Sequence, residues 1–136
     1  MYRQDYILRL IEQFGRALVL LRNRILRREV DKPTAMADIG EMARQAGLDL
    51  DVARSLDVPS LLMWLAPAGQ VDQARLWLMA ELLYLEGLGA LEDDPGRADA
   101  DFTRAAAILE RLEPQWRPSP DLPSAAELAD DIRSRR

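Results

Sequence analysis

From residue 4 to residue 28 the chain reads QDYILRLIEQFGRALVLLRNRILRR. Ile7, Ile11, Phe14, Leu18, Leu21 and Ile25 recur at alternating intervals of four and three, the period of one helix face. Leu10 and Ala17 broaden that stripe toward a globular helix face and away from a narrow coiled-coil seam. Burial of one large apolar side chain is worth roughly 1.5–3 kcal/mol, so this helix must close its stripe against something. Gly15, off the stripe, is expected to mark a close helix contact. Pro33 predicts the end of the helix, and Thr34 is the expected cap of a second one running to about Gly47. A short segment, LDVARSL, precedes VPSLLMWLAP, a helix opened near Pro59 and closed near Pro67.

The pattern then changes. AGQVDQARLWLMAELLYLEGLGALEDD is apolar on much of its circumference, Val71, Leu78, Leu82, Leu85 and Leu88 being flanked by Trp77, Met79 and Tyr84. This predicts a central helix. Pro95 and Gly96 supply a turn, and RADADFTRAAAILERLE runs back. PQWRPSPDLP holds four prolines in ten residues and reads as an extended linker. Ser124 stands three residues before Glu127, capping-box spacing for a short terminal helix. No stretch carries a strand signal. The expected fold is all-α, a small helical bundle of about five to six helices. Residues 1–114 form its domain and include the hairpin 71–114, while 115–136 form the linker and terminal helix.

Residues 80–114 are similar to a tetratricopeptide repeat. Gly87 takes the small position midway along the first helix, and Ala98, Phe102 and Ala105 take the alanine and aromatic positions of the second, with Pro114 closing the unit. The resemblance implies an antiparallel hairpin. A repeat groove needs about three stacked units and the chain holds one, so the hairpin reads as bundle core. The chain also resembles an uncharacterised bacterial family of short helical proteins that open with a Gln-Asp-aromatic-aliphatic signature. The matching residues are Gln4, Asp5, Tyr6, Ile7, Ile11 and Glu12, followed by the hairpin. That resemblance spans about the first 115 residues and implies no activity. Residues 39–56, IGEMARQAGLDLDVARSL, resemble a DNA-binding helix-turn-helix, with Ala43 at the tight position and Gly47 at the turn. That likeness implies base or phosphate contacts from Arg54 and Ser55. Asp49 and Asp51 oppose it, because a duplex carries one negative charge per about 1.7 Å.

Composition narrows the chemistry. The 136 residues contain no histidine and no cysteine. Imidazole bases, thiol nucleophiles, disulfides and nearly all transition-metal sites are thereby removed. GLGALEDDPG follows a helix rather than a strand and lacks the Lys-Ser/Thr of a phosphate loop. Glu92, Asp93, Asp94, Asp99 and Asp101 cluster without a calcium-loop pattern and read as an acidic helix start. No run of about 18 apolar residues predicts a membrane span, and ALVLL is too short for a secretory signal. A cytoplasmic chain is expected.

Charge is uneven. Residues 1–30 hold seven arginines against three acids, +4, and the remainder holds 11 basic against 20 acidic residues, −9. Such a dipole favours packing of the basic end on the acidic part of the same or another molecule. The sequence therefore points to a non-catalytic protein–protein interaction or assembly module, without cofactor or metal, expected to form a homodimer through the first helix. Candidate partner-binding residues are Ile7, Ile11, Phe14, Leu18, Leu21, Ile25 and Trp116, the last either docking the tail or meeting a partner. A DNA-binding regulator using Arg54 and Ser55 is the alternative, and a carboxylate-only metal enzyme the third reading. Nucleic acid and a membrane surface are disfavoured as partners.

Overall fold

In a computed structural model of the chain, residues 2–136 are described, with side chains from Tyr6 onward. The side chains of Gln4 and Asp5, half of the opening signature, lie outside the described residues. The described residues form seven α-helices: α1 (Tyr2–Leu26), α2 (Lys32–Gln45), α3 (Leu50–Ser55), α4 (Val58–Leu65), α5 (Gln73–Ala90), α6 (Pro95–Leu109) and α7 (Ala125–Arg135). A short 3-10 turn, Pro67–Gly69, joins α4 to α5. There is no strand among the described residues. The bundle is all-α as expected, with LDVARSL adding a helix of its own because Asp49 caps it by accepting from Val52 N–H at 3.1 Å.

Several boundaries fall elsewhere than the sequence predicts, each for a local reason. α1 stops at Leu26, ahead of Pro33. Arg28 takes the left-handed conformation there (φ 58°), and Glu29 N–H reaches Arg24 C=O at 2.8 Å, the Schellman arrangement. The cap of α2 is Asp31, not Thr34: its carboxylate accepts the Thr34 N–H at 3.1 Å and the Thr34 hydroxyl at 2.7 Å. Gly47 (φ 71°) ends α2 in the same Schellman manner. Pro95 and Gly96 open α6 instead of forming the turn, because Asp94 caps that helix through the Arg97 N–H. α5 starts at Gln73 behind its cap Asp72, leaving Val71 exposed outside it.

α5 is the axis. It is buried around nearly its whole circumference, and α1, α2, α6 and α7 all pack on it. Its largest partner is α6. The two run antiparallel, since Gln73 at the start of α5 accepts the N–H of Glu113 beyond the end of α6 at 3.1 Å. The proline-rich stretch is tied down. Ala125 N–H donates to Trp116 C=O at 2.9 Å, Trp77 Nε1 donates to Pro123 C=O at 3.0 Å, and Leu122 is buried. Leu128 and Ile132 of α7 join the same core, and α7 carries the predicted capping box of Ser124 and Glu127. Gly15 makes no close helix contact, a Cβ there standing 3.8 Å from Leu122 Cδ1.

Candidate functional site

Two carboxylates interrupt the apolar surface of α5, and each collects partners from other helices. Glu81 is 1% exposed and accepts from the guanidinium of Arg22 on α1. Arg22 also lies over the ring of Tyr84, 5.6 Å from its centroid, while its Nε is buried with no partner. The Tyr84 hydroxyl donates to Asp131 of α7. Burial pushes the Glu81 carboxyl above the usual range; Arg22 opposes the shift and Asp131 adds to it. Burial, with the hydrogen bond to Asp131, raises the Tyr84 phenol to about 12. A cavity of about 410 Å³ opens onto this group, lined among others by Arg22, Arg117, Asp131 and Arg135.

The second carboxylate, Glu86, accepts from Arg54 of α3 and lies 3.8 Å from Arg97 of α6. Behind it sits Asp101, 0% exposed, with neither side-chain oxygen hydrogen-bonded. Burial raises the Asp101 carboxyl to about 6; the Glu86 charge adds to the shift, and Arg97, Arg54 and Arg104 oppose it. Arg104 is anchored by two hydrogen bonds to Leu56 C=O, at 3.1 and 3.0 Å. A cleft of about 730 Å³ between the α2–α3 corner and the hairpin exposes Arg54, Glu86 and Arg97 along with Asp49 and Asp51. The arrangement joins α3 to α5 and α6 through charges. Three guanidinium groups face two carboxylates across a boundary of low polarity, a geometry for fixing helices and holding a polar partner group.

The sequence-predicted residues fall as follows. Ile7, Ile11, Phe14, Leu18 and Leu21 are buried in the core of their own chain, and Ile25 packs half-buried against it. The stripe is therefore not the free partner face expected of it; a homodimer seam made from these side chains would require the core to open. Trp116 is partly buried against the core and docks the tail. Arg54 is bound to Glu86 and Asp51, and the Ser55 hydroxyl donates back to Val52 C=O at 2.7 Å, so both side chains expected to contact DNA are engaged inside the chain. In the acidic stretch, Glu92 pairs with Arg28, Asp93 with Lys32 and Asp99 with Arg136, while Asp94 caps α6. The dipole expected from the sequence is met in part here, basic end against acidic turn. Among the described residues no group of three or more acidic side chains is placed to hold a metal ion. No helix of the described residues is long and apolar enough to cross a membrane.

What reasoning from the sequence missed is the buried polar set: Arg22, Glu81, Tyr84, Glu86, Asp101 and Asp131. The signal was present in α5, where two glutamates stand inside an otherwise apolar run.

The surface α1 turns to solvent has a separate character. Arg9, Arg16 and Leu20 follow one another at intervals of seven and four, one line along the helix opposite the buried stripe, and Arg27, in the turn just past the helix end, continues it seven residues on. Arg24 and Val19 flank that line, and all six are exposed. Beside it runs a groove of about 530 Å³ between α1 and the Ser119–Asp121 loop, with Glu12, Gly15 and Val19 in its walls.

No family model matches the chain, and searches of curated proteins and of solved structures found no match. The geometry alone carries the functional reading.

Proposed function

We propose that this chain is a non-catalytic protein–protein interaction or assembly module that offers the outward face of α1. The observation that supports the reading most is the pair Val19 and Leu20, large apolar side chains left at 39% and 48% exposure on a helix whose own stripe is buried. They sit beside an open groove with arginines on either side, the mixture of apolar and guanidinium groups that protein interfaces favour. The DNA-binding alternative has less support, because α3 is a six-residue helix and its one arginine is held by two carboxylates. The test is cross-linking of the tagged full chain in its native host, comparing wild type with the Val19→Asp, Leu20→Asp double variant. Loss of specific cross-linked proteins from the variant, with its circular dichroism and melting unchanged, is the expected result. Identical recovery from the two chains would remove the reading.

A further inference from the structure

The outward face of α1 concentrates the unpaired positive charge of the described chain. Several arginines elsewhere are held by carboxylates, as Arg54 is by Glu86 and Arg117 by Glu127, and Arg104 is held by the Leu56 carbonyl. The side chains of Arg9, Arg16, Arg24 and Arg27 make no hydrogen bond or ion pair with any described side chain. Arg9 and Arg24 are 15 residues apart, which spreads three of the charges along roughly 22 Å of helix at 1.5 Å per residue, with Arg27 in the turn just past the end of α1. Leu20 lies in the same line, with Val19 at its edge over the groove. A partner that satisfied this face would need acidic groups at helical spacing and an apolar residue between them.

Building on the reading just given, we infer that the outward face of α1 docks an acidic amphipathic helix of another protein, its carboxylates on Arg9, Arg16, Arg24 and Arg27 and its apolar side chains on Leu20 and Val19. A second copy of this chain fits poorly. Two α1 faces brought together would set arginines against arginines, and the chain's own acidic turn is already engaged, Glu92 by Arg28 and Asp93 by Lys32. Nucleic acid fits poorly too, since it leaves Leu20 and Val19 without apolar contact and meets a chain of net charge −5. An anionic bilayer would need an apolar face free to insert, and the stripe of α1 is internal. A helix lying along α1 with apolar side chains in the Gly15 groove covers Val19 and Leu20 and meets Arg16, provided its own carboxylates stay clear of Glu12 and Asp121 in the groove walls.

The probe is a synthetic helical peptide of about 20 residues, matched to the length of α1's face, with leucines at every third and fourth position and glutamates between them. It is compared with a scrambled peptide of the same composition, a lysine-for-glutamate twin, a mixed DNA duplex and vesicles containing anionic lipid. Binding to the full-length chain is read by fluorescence anisotropy at low and high salt. The patterned acidic peptide should bind, and Arg16→Glu, Arg27→Glu and, separately, Leu20→Asp should each weaken it roughly tenfold or more. The scrambled peptide and the lysine twin should not bind. Equal binding of the scrambled peptide, indifference to Leu20→Asp, or tighter binding of the duplex or vesicles would overturn the inference, as would no binding at all. Should the patterned peptide fail while Val19→Asp, Leu20→Asp still abolishes the cellular cross-links, the acidic chemistry falls and the module reading stands; failure of both removes both.

Discussion

The ring of Phe102 fills the space that a side chain on Gly87 would occupy. A Cβ built on Gly87 would lie 2.5 Å from Phe102 Cε1 and 2.8 Å from Cδ1, so α5 and α6 approach only because residue 87 has no side chain. Phe102 in turn packs on Tyr84, their ring centroids 5.6 Å apart. Gly87→Ala is therefore expected to destabilise the chain by about 1–3 kcal/mol through overpacking, despite alanine's better helix propensity. Phe102→Leu should recover part of that loss when combined with it, because the clash is with the ring. Urea unfolding of the two single variants and the double variant tests the coupling; additive losses would show that Gly87 matters for another reason.

Arg22 and Glu81 form a buried pair, and the two ends of it are not equivalent. Arg22 reaches in from α1 with part of its length in solvent, whereas Glu81 is closed off on α5. Removing the arginine leaves a carboxylate with no counter-charge in a site that already raises its pKa. Arg22→Ala is expected to cost about 3–5 kcal/mol, whereas the paired change Arg22→Met, Glu81→Leu should cost far less or stabilise, since both desolvation penalties vanish together. Chemical denaturation at neutral pH distinguishes the two, and a large loss in the paired variant would contradict this account.

The elements with strong periodicity were legible because one physical requirement fixed them. Ile7 through Leu21 had to be covered by apolar surface, which the sequence left open between this chain and a partner, and the apolar run around Trp77 could only lie at the centre of a core. Helix ends were legible where capping chemistry was unambiguous, as at Ser124 and Glu127, and misplaced where two residues competed. Asp31 and Thr34 both suit a cap, and the backbone geometry selects the aspartate. The site was harder. Glu81 and Glu86 are charges in an apolar helix that reading the sequence passed over, and nothing in the sequence says that Arg22, 59 positions before Glu81, or Asp131, 47 positions after Tyr84, would come to meet this helix. The outward face of α1 was hidden by the same regularity that revealed the stripe, since the functional reading went first to the conspicuous residues, and these were the ones the core consumed.

Asp101 makes stability depend on pH in a stated direction. Its carboxyl titrates at about 6 in the fold, against a value of 3.8 in the absence of the fold. Between those values the folded chain holds a proton that the unfolded chain has released, so stability falls as pH rises through the window from about 4 to 6 and stays lower above it. Asp101→Asn removes the penalised charge while leaving a polar group without partners. It should raise stability at neutral pH by about 1–2 kcal/mol, allowing for that residual cost and about 1.4 kcal/mol per pKa unit, and flatten this part of the profile. Melting temperatures at pH 4 and pH 7 give the comparison; an unchanged slope in the variant would assign the pH dependence elsewhere.

The terminal helix packs into the same core as the hairpin, although a proline-rich stretch separates them in sequence, and the two are expected to unfold together. Ile132 and Leu128 are buried in the shared core, and Tyr84 on α5 donates to Asp131. Ile132→Ala is expected to lower the stability of the whole chain by about 2–5 kcal/mol within a single transition. Tyr84→Phe should cost about 1 kcal/mol, the net worth of one hydrogen bond. The wild-type chain should also weaken in alkali, because the folded phenol titrates at about 12 and the unfolded one at 10.0. As pH climbs from 10, the unfolded chain loses the proton first and the fold loses ground, an effect that Tyr84→Phe should abolish. Hydrogen exchange read across α7 decides the matter of cooperativity: protection equal to that of α6 fits one unit, and a tail that exchanges freely while α5 and α6 remain protected would refute it.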